Sequence, residues 1–267
     1  MVAKIAKILI YPIKSLDGVL CDYGTIVTPG TFNWDRRWAI FDDQGKYVNG
    51  KNNPKVHQLS PKFDLSQLIV TFCHNQGSVS FNLATETDQI NQWLSDYFQK
   101  PVFLREEAAG GFPDDEEAYG PTIISTATLE TVASWFPPLS VENARSRFRA
   151  NIEISGVPPF WEDKLFAESG TVVNFQIGSV QLEGINPCQR CVVPTRDPTT
   201  GERYPQFQRI FNQQRQATLP RWTTPSRFNH YYRLSVNTRI PPSQVDKTIR
   251  IGDRVSLGKE ETPRNLE

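Results

Sequence analysis

The chain has 267 residues, with 29 basic and 29 acidic side chains and a formal net charge of zero. No global field therefore draws it to nucleic acid or to an anionic membrane, and any anion site must be local. With 38% hydrophobic residues the chain can bury one large core or two modest ones.

Strand signals dominate the chain from the start. The N-terminal stretch MVAKIAKILIYPIKS is broken by Lys4, Lys7, Pro12 and Lys14 and has no small-residue cleavage site, so it reads as a strand and not as a signal or anchor. Alternating or β-branched runs predict strands at 5–10, 24–28, 38–41, 68–72, 78–83, 102–105, 151–155, 172–177, 180–183 and 249–257. Twenty prolines and 16 glycines punctuate them, the texture of barrel-like or sandwich architecture with a few helices. Ile90, Trp93, Leu94 and Tyr97 fall on one helical stripe, which predicts a helix over 86–98 behind a capping box of Thr85 and Asp88. A second helix follows Ser125 or Thr126, with Leu129, Val132, Ala133 and Phe136 as its stripe and Pro137 and Pro138 as its stop.

Between these helices, AAGGFPDDEEAYGP (108–121) is small, acidic and aperiodic, and reads as a linker between domains at 1–110 and 111–267. Its DDEE run reads as solvated surface. No repeat of 20 to 50 residues, Walker loop or GxGxxG is present.

The chemistry concentrates at NPCQRCVVPTRDPTTGE (186–202), where two cysteines three positions apart lie in a segment that its prolines and glycine hold as an exposed loop. A cysteine there suits a soft-metal ligand, half of a redox disulfide or a persulfide carrier, and Arg190 supplies a cation beside it. Structural zinc needs about four close ligands, and the remaining Cys21, Cys73, His57, His74 and His230 are remote in sequence. A thioredoxin-type helix is blocked by Pro187, Pro194 and Pro198. Four cysteines in a chain of this size make no disulfide scaffold, which points to the reducing cytosol.

These segments also carry a resemblance. PCQRCVVPTRDPTTG, with YPIKS (11–15), DRRW (35–38), RFRANIEISG (147–156) and the closing IRIGDRVSLG (249–258), resembles the MOSC family of molybdenum-cofactor proteins across nearly the whole chain. Within it the chain resembles the branch that includes the mitochondrial amidoxime-reducing component and its bacterial relatives. The resemblance implies a mainly β (α+β) fold, an N-terminal β-barrel-like domain followed by a MOSC β-barrel domain, and a closing strand pair. It implies a molybdenum cofactor with Cys191 as its thiolate ligand. Lys14, Ser15, Arg36, Arg149, Asn151, Gln189 and Arg190 would contact the cofactor, with Cys188 as a neighbour that is not a ligand. Pyridoxal phosphate binding comes with it only as a family-level association. AYGP (118–121) departs from the eukaryotic pattern, and Trp222 stands near the place of an aromatic contact.

The function implied is reduction of N-hydroxylated or otherwise N-oxygenated small molecules, with electrons from a separate donor of ferredoxin, cytochrome or flavoprotein type, and with neither nucleic acid nor membrane as partner. A sulfur-carrier or cofactor-handling protein with a Cys191 persulfide is the alternative, and a binding module without catalysis the third. Physically, a thiolate is the soft donor that a sulfur-rich metal centre accepts, while lysine and arginine neutralise phosphate.

Overall fold

A computed structural model describes residues 2–74 and 77–261. Sixteen strands and four α-helices are described. The strands are β1 (Lys4–Ile10), β2 (Val19–Cys21), β3 (Tyr23–Val27), β4 (Thr31–Phe32), β5 (Trp38–Asp42), β6 (Ser60–Asp64), β7 (Ile69–His74), β8 (Gly77–Asn82), β9 (Val102–Glu106), β10 (Ile123–Ser125), β11 (Ile152–Ser155), β12 (Val172–Ile177), β13 (Val180–Gln189), β14 (Arg233–Arg239), β15 (Thr248–Arg250) and β16 (Val255–Glu261). The helices are α1 (Thr87–Phe98), α2 (Thr126–Ser134), α3 (Val141–Phe148) and α4 (Phe207–Ala217). The fold is mainly β with helices, as the strand texture predicts.

The central sheet has eight strands in the order β16-β12-β13-β14-β10-β11-β1-β2, so β1 and β2 from the start of the chain complete a sheet made mostly by its second half. β1 is a strand because KIAKILI buries Ile5, Ile8 and Ile10 and turns its lysines outward. Its antiparallel pairing with β11 has a bulge between Ile5 and Lys7. β10 and β11 run parallel, joined through α2 and α3. Smaller sheets are β15-β3-β4, β5-β9 and β6-β7-β8. In the order of the large sheet β16 and β2 stand at the ends, but the chain entering β16 bonds back to the start of β1 (Ile5 amide to the Asp253 carbonyl and Val255 amide to the Ala3 carbonyl, both 2.9 Å), so the sheet is barrel-like without an uninterrupted closed ladder among the described residues. Closure needs every edge paired, and β2 is only three residues long.

Three apolar cores result. One lies against the large sheet around Ile8, Ile152, Phe175 and Val236; a second joins α1 to the small N-terminal sheets through Ile40, Phe72, Leu94 and Val102; the third packs α2, α3 and α4 around Phe136, Phe148, Phe207 and Phe211.

Several predictions from sequence are corrected by local physics. α1 has the predicted stripe, but Thr85 and Asp88 do not form its cap. Instead Asn82 Oδ1 accepts from the amides of Ala84 and Thr85, and Glu86 reaches back to the Asn82 amide. α2 starts as predicted, with Ser125 Oγ accepting from the Thr128 amide at 3.1 Å. The predicted strand 249–257 is two strands in two sheets: β15 pairs with β3 and β16 with β12, so they do not pair with each other. β13 extends to Gln189 and takes in the first part of the expected cysteine loop. Pro187 is tolerated because β12 covers β13 only as far as Gly184, while register shifts flank the proline on the β14 side. Gly184 is required there, since a Cβ would fall 1.6 Å from the Leu165 carbonyl oxygen.

Beneath α2 lies a buried charge cluster. Asp163 accepts from Arg215 at 2.5 Å and from Thr223 at 2.6 Å, all three residues being buried. Its neighbour Glu162 is 1% exposed, and its carboxyl is pushed up to about 7, chiefly by burial and then by the Asp163 charge, which the nearby Ser125 and Thr128 hydroxyls only partly offset. The folded chain therefore keeps this proton up to about pH 7, whereas the unfolded chain releases it near 4.5. Stability should fall as pH rises through that window and level off above it, by a total on the order of 3 kcal/mol. Glu162→Gln should flatten the dependence of Tm on pH between 5 and 8, read by thermal melts; an unchanged slope would place the titrating group elsewhere.

Candidate functional site

A cleft of about 1190 Å³ lies where the N-terminal strands, the 110–120 segment and the C-terminal strands meet. Eight basic and five acidic residues line it, so a chain with no net charge holds a locally cationic cavity. Lys14, Ser15, Arg36, Arg149, Gln189, Arg190 and Cys191 are all on its wall.

Backbone pairing explains how such distant residues converge. YPIKS and DRRW run side by side: the Arg36 amide donates to the Tyr11 carbonyl (2.7 Å), the Trp38 amide to Pro12 (3.0 Å) and the Lys14 amide to Trp38 (2.7 Å). Ser15, Arg36 and Arg149 have φ of 74°, 51° and 53°. For side chains other than glycine this left-handed conformation costs about 1–3 kcal/mol each. For Arg149 it is the C-cap of α3, its amide bonded to the Arg145 carbonyl.

Asn151 does not line the cleft. It is fully buried; its Nδ2 donates to the Leu9 carbonyl (3.1 Å) and to Asp35 Oδ1 (2.9 Å), while its Oδ1 accepts from Thr122 N and Oγ1 (both 3.2 Å). Asp35 Oδ1 also accepts from the Tyr11 amide, and Oδ2 takes Arg36 Nη1 at 2.5 Å. Asn151 thus holds Arg36 both through Asp35 and directly, its Oδ1 accepting from Arg36 Nη1 at 3.5 Å, and has no open face for a ligand. Arg149 lies 4.5 Å above the Tyr11 ring, with Arg36 at 5.9 Å, and also donates to the Leu16 carbonyl. Burial pushes the Tyr11 phenol up to about 12 against the pull of both arginines, so it stays neutral.

The acidic segment is not solvated surface throughout. Lys14 Nζ donates to the carbonyls of Phe112 and Pro113 (both 2.9 Å) and pairs with Asp114 at 2.7 Å, while Arg36 Nε lies 3.8 Å from the same carboxylate. Asp114 remains 71% accessible because it borders the cleft. Burial works to raise its carboxyl, but Arg36 and Lys14 outweigh this and hold it well below the carboxylate range; burial pushes the Lys14 ammonium down despite Asp114. Asp115 accepts from Asn186 and Asn237 at 3.5 and 3.1 Å, tying the segment to β13 and β14. Gly111, at φ 67°, lets the chain pass where a Cβ would meet the Arg36 carbonyl oxygen at 2.6 Å.

Past the end of β13, Cys191 is exposed on the cleft wall, and Cys188 is half-buried. The guanidinium of Arg190 turns to Cys188 and not to Cys191: its Nη1 donates to Cys188 Sγ (3.2 Å) and Ser235 Oγ (3.3 Å), and its Nη2 to the Phe148 carbonyl (2.6 Å). The buried Nε of Arg190 has no protein partner. Sequence reasoning missed Asp35, Asp114, Asp115, Arg147, Arg227 and Arg233, all of them on the cleft wall. Asp35 stood in DRRW and the acids in the supposed linker, but nothing in their spacing showed which way they would face. Trp222, by contrast, does not line the cleft; its Nε1 donates to the Phe160 carbonyl at 2.9 Å.

The MOSC N-terminal beta barrel domain matches residues 2–101 and the MOSC domain residues 119–256. The chain belongs to the MOSC-domain family. Human mitochondrial amidoxime-reducing component 1 is 24% identical over 239 residues, covering 75% of this chain and 68% of that protein, and its zebrafish (Danio rerio) counterpart is 26% identical over 237. The molybdenum cofactor sulfurase of Caenorhabditis elegans is 25% identical over 225 residues, covering 75% of this chain; the match spans only 30% of the sulfurase's length. A crystal structure of the YUAD protein from Bacillus subtilis aligns over 96% of both chains at 11% identity with a TM-score of 0.40.

The Asn151 junction yields a test. Asn151→Ala takes the side-chain acceptor from the Thr122 amide and one donor each from the Leu9 carbonyl and Asp35, which keeps the Tyr11 amide and Arg36. A buried group left unmet costs about 1–3 kcal/mol, and each kcal/mol lowers Tm by roughly 2–4 °C in a chain of this size. Asn151→Asp sets a second carboxylate against Asp35 and should melt lower still at pH 7. Melting curves that coincide with the wild type would show that the junction bears no strain of this kind.

Proposed function

We propose that the chain binds a molybdenum cofactor through Cys191 and reduces N-hydroxylated or otherwise N-oxygenated small molecules. The observation that carries this reading is an exposed thiol on the wall of a cleft rich in guanidinium, where the buried Nε donor of Arg190 lacks a protein partner. That donor set suits an anionic group that brings sulfur and phosphate, because a thiolate is a soft ligand and guanidiniums match oxyanions. The family and the names of the relatives support the same chemistry.

Lys14, Arg36 and Arg149 would neutralise the cofactor's anionic end, and Ser15 and Gln189 would hydrogen-bond its polar edges. Arg190 holds Cys188 aside and leaves Cys191 free. Asn151 positions Arg36 directly and through Asp35. Once bound, the cofactor supplies the two-electron centre at which the substrate's N–O bond is cleaved; two electrons and two protons enter and water leaves. A separate redox protein would supply the electrons. Among the described residues no helix is long and apolar enough to cross a membrane, and the four cysteines are free, which accords with work in a reducing cytosol.

A second reading, a persulfide on Cys191 in a cofactor-handling protein, draws on the similarity to molybdenum cofactor sulfurases. Purification from a molybdopterin-competent host separates the two. For the reductase, molybdenum and pterin should be near stoichiometric, and benzamidoxime should be reduced with a chemical donor. Cys191→Ala should lose both metal and activity with the fold intact, while Cys188→Ala should lose far less. Persulfide on Cys191 without metal would favour the carrier, and equal metal loss in both variants would overturn the assignment of the ligand.

A further inference from the structure

The cations of the cleft differ in what holds them. On one wall Lys14, Arg36 and Arg149 face carboxylates, with Asp114 at 2.7 Å, Asp35 at 2.5 Å and Asp17 at 3.8 Å respectively. Arg190, Arg227 and Arg233 are held by neutral acceptors instead. Arg227 donates to the carbonyls of Ala167 (2.7 Å) and Ile185 (3.3 Å), and Arg233 to the carbonyl of Pro187 (3.1 Å) and to Asn229 Oδ1 (2.9 Å). Such bonds fix a guanidinium's direction without cancelling its charge.

Among the described residues no ion pair includes Arg190, Arg227 or Arg233. Glu168, whose charge reaches Arg227, accepts from Ser226 and does not line the cleft. Burial, and then the like charge of Arg233, push Arg227 down, and burial does the same to Arg233. The buried Nε of Arg233 has no partner. Two like charges held on the neighbouring carbonyls of Ile185 and Pro187, with no ion-pair partner among the described residues and only the Glu168 charge nearby, cost stability, and an oxyanion between them would relieve that cost. The place is also close to the thiol: Arg233 pairs directly with Gln189 across the β13–β14 ladder, two residues before Cys191.

We propose that Arg227 and Arg233 form an anion subsite in the cleft, and that the small molecule handled beside Cys191 carries a carboxylate in addition to its N–O group. The second half of this statement rests on the reductase reading; the subsite itself does not.

Benzamidoxime and 4-carboxybenzamidoxime share a reacting group and differ by one negative charge, which makes them suitable probes. Calorimetric titration of the full chain at low and at physiological salt should show the carboxylate binding roughly tenfold or more tightly, since a charge-assisted pair is worth about ten- to hundredfold. The preference should shrink as salt rises. In the Arg227→Gln, Arg233→Gln double variant the affinity ratio should fall to about one while pterin content holds, and Arg227→Lys should keep part of the preference. Equal affinities in the wild type would overturn the subsite without any variant being needed. Loss of pterin in the double variant would also overturn it, by assigning the pair to the cofactor's phosphate. Turnover by the loaded protein separates this proposal from the reductase reading: carboxylate-selective binding with no reduction of either compound upholds the subsite and sinks the reductase, whereas reduction of both at equal kcat/KM does the reverse.

Discussion

A carboxylate and a carboxamide buried against each other, Asp35 and Asn151, hold together three segments that the sequence keeps far apart. The end of β1 enters through the Leu9 carbonyl and the Tyr11 amide, the turn before β5 through Asp35 itself, and the start of β11 through Asn151. Every polar atom of the pair has a partner, which is the condition under which such groups are tolerated in a core. The consequence is positional. Arg36 is fixed by Asp35, Arg149 caps the helix that leads into Asn151, and Lys14 follows from the pairing of YPIKS with DRRW. The cationic wall is therefore built on buried backbone and not on mobile surface side chains, so its charges are aimed before any ligand arrives.

The balance of charge around the cleft has a second consequence. Over the whole chain the acids and bases cancel, yet they are distributed unequally inside the cavity. Asp114 and Asp35 offset the wall contributed by the N-terminal strands, while the wall near β14 keeps its charge. An entering anion must compete with Asp114 for Lys14 on the first wall, whereas Arg227 and Arg233 on the second are in no ion pair among the described residues. Burial strengthens the Arg36–Asp35 pair most, because solvent screens it less than it does the exposed Asp114.

Much of this was readable beforehand, and the failures have physical causes. Most strands followed from alternation, and α1 and α2 from their apolar stripes, because burial on one face leaves a period in the sequence; β6 and β14 were not predicted, and β14 is buried continuously from Leu234 to Thr238, polar residues included, so it carries no such period. α3 and α4 were not predicted: α3 buries Arg145 and Arg147 beside Ala144 and Phe148, and α4 buries Arg215, so polar side chains stood where a stripe should have been apolar. Those arginines are tolerated because Glu153 meets Arg145, Asp163 meets Arg215, and Arg147 donates to Asn143 and the Pro194 carbonyl with Asp197 at 3.6 Å, and partners outside the helix stripe leave no mark in its period. The residues quoted in motifs converged on one cleft, with the exception of Asn151, whose role lies behind the wall. Arg227 and Arg233 sat in a stretch of weak periodicity among other basic residues, where only the fold separates a ligand-facing charge from a surface one. The acidic run is largely solvated, as its composition predicts, with Asp114, Glu116 and Glu117 exposed; what composition did not show is that Lys14 pairs with Asp114 and that Asn186 and Asn237 hold Asp115.

The central claim is that Cys191, and not Cys188, presents its sulfur to a metal in this cleft. Molybdenum K-edge X-ray absorption on the loaded full chain, compared with Cys191→Ser and Cys188→Ser, tests it most directly. The sulfur shell of molybdenum should lose one neighbour in Cys191→Ser and remain complete in Cys188→Ser. A shell unchanged by Cys191→Ser, or one that loses its sulfur with Cys188→Ser instead, would contradict it.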